Sequence, residues 1–177
     1  KREIILVTHL AHATVRTSIH EWSQELVERA EQALSKAQYT INSASLTSAL
    51  SYYYIVCGKY EKAYYLLHPF IEAAPTKKTR SFIWEHIDLL YVITCFLLDE
   101  QTVECQKIND RITIRDEMMR YKLAFLQFTS QSNFNQAEEQ LNHAYQCCKE
   151  WSFMYGDGKI EKELLNTLKK HLEKIKK

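Results

Sequence analysis

The residues of this chain whose types and spacing could do chemistry are few. His9 and His12 stand three apart, so on one helix both imidazoles could reach a metal from adjacent turns. No further ligand pattern accompanies them, and surface or structural histidines are the simpler reading. His143 and Cys147 stand four apart with Cys148 adjacent. A zinc site there would need two further ligands from elsewhere, and a nucleophilic thiol would need a positioned base. Glu61 and the pair Glu138 and Glu139 read as solvated carboxylates on helix faces. The chain holds no P-loop, Gly-rich dinucleotide turn, nucleophile elbow or zincin motif. The expectation is no enzyme, no metal and no cofactor.

Tyr52, Tyr53, Tyr54, Tyr60, Tyr64 and Tyr65 point instead to contact chemistry. On a helix the three consecutive tyrosines fan out over about 200°, so one core face cannot take them all. At least one must meet a neighbour, a groove or a partner, and a tyrosine ring supplies contact area while its hydroxyl supplies a hydrogen bond.

The elements that must hold these residues read as helices. Among 177 residues there are three Gly and two Pro, too few for a fold built on many tight turns. With 46% apolar and 25% charged residues the composition is that of a globular protein, and a chain this long can bury roughly 70% of its unfolded surface in one domain. A net charge of +1 gives no electrostatic drive toward nucleic acid or anionic lipid. Five cysteines without a CxxC spacing, three of them in apolar helical runs, read as free thiols and favour an intracellular, cytoplasmic setting. No stretch of eighteen apolar residues and no signal peptide is present, so no membrane is expected. The chain begins at Lys1 without Met, which reads as a domain excised from a longer protein.

In chain order, Glu3 to Thr17 carries an apolar stripe, and a second stripe runs from Ile19 through Trp22, Leu26 and Ala30 to Ala37, with Ser18 a candidate N-cap between them. Asn42 and Ser43 supply a polar cap. Leu46, Leu50, Tyr53, Tyr54 and Cys57 then form one helical face, Gly58 offers a left-handed stop, and Tyr60, Ala63, Leu66, Leu67 and Phe70 form the next face before Pro75. Ser81 to Leu98 is apolar around so much of its circumference that neighbours must cover two sides. Asp99 to Thr102 reads as a turn, and the run after it is less regular. Tyr121, Ala124, Phe125 and Phe128, a polar turn at Ser130 to Asn133, then Phe134, Ala137, Leu141, Ala144 and Tyr145 repeat the earlier pattern 74 positions on. Trp151 to Tyr155 is an aromatic cluster, Gly156-Asp157-Gly158 breaks the chain, and Ile160 to Ile175 is a final amphipathic helix with lysines on its polar side.

Ala44 to Lys77 resembles a tetratricopeptide repeat, a 34-residue antiparallel helix pair. The resemblance rests on Leu50, Tyr54, Gly58, Tyr60, Ala63, Leu67 and Pro75. Thr47 stands where the family often has Trp, and Phe70 where it usually has a small Ala. The second copy keeps Phe128, Phe134, Ala137, Leu141 and Ala144, with Ser132 in place of the Gly and Lys149 in place of the Pro. The implied architecture is all-α: residues 1–177 as a single domain, a short right-handed α-solenoid with a first helical pair at 1–43, the best repeat at 44–77, a degenerate repeat at 78–117, a second recognisable repeat at 118–151 and a capping helix at 158–177.

In tetratricopeptide proteins the first helix of each unit lines a concave groove. Carried onto this chain, the groove positions are Ser45, Ser48, Tyr52, Ile55 and Val56, then Met119, Lys122, Leu126, Thr129 and Ser130. Ser48, Tyr52, Ile55, Val56, Lys122, Leu126 and Thr129 are the candidate partner-binding residues. The groove lacks the paired Lys and Asn residues with which chaperone-binding members clamp a C-terminal carboxylate. The expected function is a scaffold that binds a protein or peptide without catalysis or direct nucleic-acid contact, with a homodimer left open. The alternative is the ligand-sensing or oligomerisation domain of a larger regulator such as a transcription factor. A third outcome is a groove closed by the chain's own first helices.

Overall fold

The computed structural model describes residues 22–38, 40–73, 82–100, 108, 112, 117–150 and 159–177. Among them are seven helices and no strand: α1 Gln24–Ser35, α2 Ile41–Val56, α3 Tyr60–Glu72, α4 Phe82–Leu97, α5 Glu117–Ser130, α6 Phe134–Glu150 and α7 Lys159–Ile175. The protein is all-α. No helix among the described residues is long and apolar enough to cross a membrane. The stripe from Glu3 to Thr17, His9 and His12, Pro75 and the 151–158 segment lie outside the described residues.

Local chemistry sets the helix starts. α1 begins after Ser23, whose hydroxyl accepts the Leu26 N–H at 3.2 Å; the other candidate cap, Ser18, is outside the described residues. The cap of α2 lies two positions ahead of the expected Asn42. Thr40 is the N-cap, its hydroxyl accepting the Ser43 N–H while the Ser43 hydroxyl accepts the Thr40 N–H at 2.8 Å. Asn42 therefore lies inside the first turn. The reciprocal box satisfies two amide donors at once, which a cap at Asn42 would not do.

Three helices end in the same way. Gly58 takes a left-handed φ of 71°, its N–H donating to the Ile55 carbonyl and that of Lys59 to the Tyr54 carbonyl. Asp99, at φ 58°, repeats this with bonds from its own N–H to Phe96 and from Glu100 to Cys95. Ser132, at φ 57°, repeats it again, from its own N–H to Thr129 and from Asn133 to Phe128. Each is the paired closure that satisfies the last carbonyls of a helix. α2, α4 and α5 therefore end in one register.

That register aligns buried positions along the three helices. Counting back from the left-handed residue, Ser48, Leu89 and Lys122 are equivalent, as are Tyr52, Ile93 and Leu126, and Ile55, Phe96 and Thr129; all nine are buried. α2 packs against α1, α3, α4 and α7, α4 also against α3 and α5, and α5 against α6. α4 is enclosed by this arrangement: Trp84 to Leu97 is buried around the helix except for His86, which is partly covered. In α3, Ala63, Leu67, Phe70 and Ile71 are buried, and in α6, Ala137, Leu141 and Ala144 are buried at the corresponding places. Phe70, where a small residue was expected, lies 5.8 Å from the Trp84 ring and fills the contact with α4 by aromatic packing.

These turns differ in strain. A Cβ on Gly58 would meet nothing within 4 Å, so Gly58→Ala is penalised through the backbone alone. We expect it to cost about 1 kcal/mol of unfolding free energy, and Ser132→Gly to gain roughly 0.5 kcal/mol because it relieves the same conformation. Urea unfolding monitored by circular dichroism measures both.

Candidate functional site

The clustered tyrosines take different environments. Tyr53 stacks on Trp22, with centroids 5.2 Å apart, and Tyr54 donates to Glu31 of α1. Tyr64 stacks on His68 and leans on Tyr91 of α4, while Tyr65 is exposed. Tyr52 turns toward the face shared by α2, α4 and α5.

That face is covered. α7 crosses it, packing against α2 and α6, and the covering helix comes from the C-terminal end of the chain. Leu164, Leu165, Leu168 and Leu172 of α7 are fully buried. The expected groove residues Ser48, Tyr52, Ile55, Lys122, Leu126 and Thr129 are buried as well, and Val56 is partly buried against the same core. Four buried leucines contribute roughly 6–12 kcal/mol of gross apolar transfer, so the leucine stripe holds α7 in place. α7 thus reaches past α6, which precedes it among the described helices, to α2.

One polar cluster lies inside this apolar interface. The Lys122 side chain is 1% exposed and its Nζ is 2.5 Å from Glu161 Oε2, while the Glu161 side chain is 5% exposed. The Tyr52 hydroxyl donates to Glu161 Oε1 at 2.7 Å and lies 2.8 Å from His86 Nε2. A phenol has one proton; with that proton on the carboxylate bond, His86 must present Nε2–H to the Tyr52 oxygen. Lys122 Nζ also donates to the Tyr52 oxygen at 3.4 Å and sits 5.8 Å from its ring centroid. α2, α4, α5 and α7 each supply one residue. Ser48 and Thr129 stay outside the cluster, Thr129 bonding back to the Phe125 carbonyl of its own helix.

The electrostatics follow from burial. Desolvation pushes the Glu161 carboxyl up, but the Lys122 ammonium beside it, with His86 and the Tyr52 hydroxyl, outweighs this and holds it below the usual carboxylate range. The Cys148 thiol is pushed up to about 11, first by burial and then by Glu161, with Lys122 opposing. It is protonated at neutral pH and a poor nucleophile. Further along α7, His171 reaches Asp99 at 3.2 Å and meets the Phe96 ring edge-on, Tyr145 donates to Asn166 at 2.6 Å, and Lys176 pairs with Glu138. These contacts fix the far end of α7 to the α4 turn and to α6.

His143 stacks on Tyr121 with ring centroids 5.1 Å apart, and Cys147 is buried. Glu61 and Glu139 are exposed. Among the described residues no group of three or more His, Cys, Asp or Glu is placed to hold a metal ion. The site residues that sequence reasoning missed are Glu161 and His86. Glu161 carries a readable signal, because it lies three, four, seven and eleven positions before the four buried leucines and so is an acid on the apolar stripe of its helix. In comparisons with known proteins, no family model, curated protein or solved structure matches this chain.

Two measurements test this site. Removing one partner of a buried pair strands the other, so Lys122→Met or Glu161→Leu is expected to cost about 3 kcal/mol, and the two substitutions together less than either alone. Denaturant unfolding of the four proteins reads this as a coupling energy. Glu161 has a lower pKa folded than unfolded, so its contribution is complete above the ordinary carboxylate value and is lost as pH falls through the folded one. The double variant should therefore lose less stability on acidification below about pH 4.5 than the native protein does. In a separate labelling experiment at pH 8, exposed Cys57 should react with iodoacetamide well before buried Cys148.

Proposed function

We propose that this chain is a non-catalytic helical-repeat module that holds a protein helix across the face built by α2, α4 and α5. Its architecture is a short right-handed α-solenoid of tetratricopeptide-like units. The three identical turns at Gly58, Asp99 and Ser132 support that reading, as do the matching buried positions Ala63 and Ala137 and the packing of α2, α4 and α5 in sequence order.

The observation that carries the function is α7 itself. An amphipathic helix with four buried leucines lies on the same face that the repeat resemblance assigns to partners. The face is thus shaped for a helix laid in a groove, read out through anchors at helical spacing. Absence of catalysis is supported by the chemistry of the cluster. Lys122 and Glu161 neutralise each other out of reach of solvent, and the neighbouring thiol is protonated. The partner is a protein helix, and no feature of the site calls for nucleic acid, metal or cofactor.

A full chain carrying Leu165→Ala and Leu172→Ala loosens α7 while keeping Tyr52, His86, Lys122 and Glu161 unsubstituted. We expect a fluorescent peptide with the sequence of residues 159–177 to bind it saturably, by anisotropy, and an added Leu126→Asp to weaken that binding at least tenfold. If a folded chain fails to bind the peptide, this function is wrong.

A further inference from the structure

We infer that the groove selects its partner by a carboxylate: it accepts an amphipathic helix of another protein that carries an acidic residue followed by leucines at positions +3, +4, +7 and +11. This rests on the helix-holding function proposed above and adds the chemistry that discriminates between helices. Every proton at the centre of the face points the same way. Lys122 Nζ donates to Glu161, Tyr52 donates to Glu161, and His86 donates into Tyr52, so the groove side of the cluster offers donors and one positive charge. The ammonium is 1% exposed, and its partners are Glu161 and the Tyr52 hydroxyl, which is itself neutral. Among the described residues, the carboxylate paired with it is Glu161 of the docked helix. A helix with Gln or Leu at that position leaves the ammonium buried without a countercharge, which is among the costliest defects an interface can have.

The surroundings make the demand local. Ile55, Leu89, Ile93, Phe96 and Leu126 form the apolar part of the same face. Apolar contact would accept many leucine-bearing helices with little discrimination; a single charge at one end fixes both the register and the direction of the helix. α7 meets the demand in this chain, with Glu161 as the acid and Leu164, Leu165, Leu168 and Leu172 as the anchors. It acts as a tethered competitor, and an incoming helix must match the carboxylate to displace it. The tether makes this competition steep, because an attached segment works at millimolar effective concentration.

The test uses the full chain with Leu165→Ala and Leu172→Ala and two labelled peptides of the 159–177 sequence, one native and one with Glu161→Gln. The native peptide should bind at least tenfold more tightly and in a 1:1 complex with a monomeric chain. Adding Lys122→Met to the chain should reduce that preference to about twofold or less. Equal affinity of the two peptides for the chain that keeps Lys122 would overturn the carboxylate requirement while leaving helix binding intact. No binding by either peptide to a chain that is helical and melts cooperatively would instead remove the helix-holding function itself. A dimer that excess native peptide does not dissolve would assign the groove to a second copy and overturn the foreign partner. If the loosened chain does not fold alone, recovery of its cooperative melt by each peptide is the readout. Greater recovery with the native peptide supports the inference, and equal recovery overturns it.

Discussion

An ammonium group out of contact with water can stay charged only where a carboxylate meets it, and Lys122 meets one on a helix 39 residues away in the chain. That requirement couples four helices at one point, since Tyr52 and His86 complete the bonds around the pair from α2 and α4. The leucines of α7 supply most of the attraction, but a leucine stripe slides or reverses at little cost. The Lys122–Glu161 bond does not, because a displacement of one helical turn would separate the two charges. Energy and geometry thus have different sources in this interface.

The turns supply the second constraint. Gly58, Asp99 and Ser132 close α2, α4 and α5 with the same pair of backbone bonds, so the three helices present equivalent positions at equivalent heights. Lys122 stands where α2 has Ser48 and α4 has Leu89, which confines the charge to one of three otherwise comparable places. Only the first of the three turns uses glycine. The other two hold L-residues in the left-handed region, Asp and Ser, whose short polar side chains make that conformation accessible.

Most of the helices were legible in the sequence because a 3.6-residue stripe is a local property. Leu46, Leu50 and Tyr54 announce α2, and the leucines from Leu164 to Leu172 announce α7, without any knowledge of neighbours. Gly58 announced its turn for the same reason. The start of α2 was misplaced because Thr40, Asn42 and Ser43 are all good capping residues, and only the reciprocal bond between Thr40 and Ser43 decides among them. The register of Asp99 with Gly58 and Ser132 was not legible, since Asp at a helix end fits several turns equally well. Where α7 docks was beyond local pattern altogether. The one residue that hinted at it was Glu161, an acid on a leucine face, whose natural complement is Lys122, a base on the face of Leu126 and Thr129.

The bond between Tyr52 and Glu161 closes a loop of 109 residues. Ordering so long a loop is entropically slow compared with pairing α2 with α3 or α5 with α6, whose partners are joined by a few residues. Chain connectivity therefore favours an order of assembly in which the helical hairpins form first and the leucine face of α7 arrives last. During synthesis that face also leaves the ribosome after every surface it covers. Until α7 arrives, the apolar ground on α2, α4 and α5 lacks its cover.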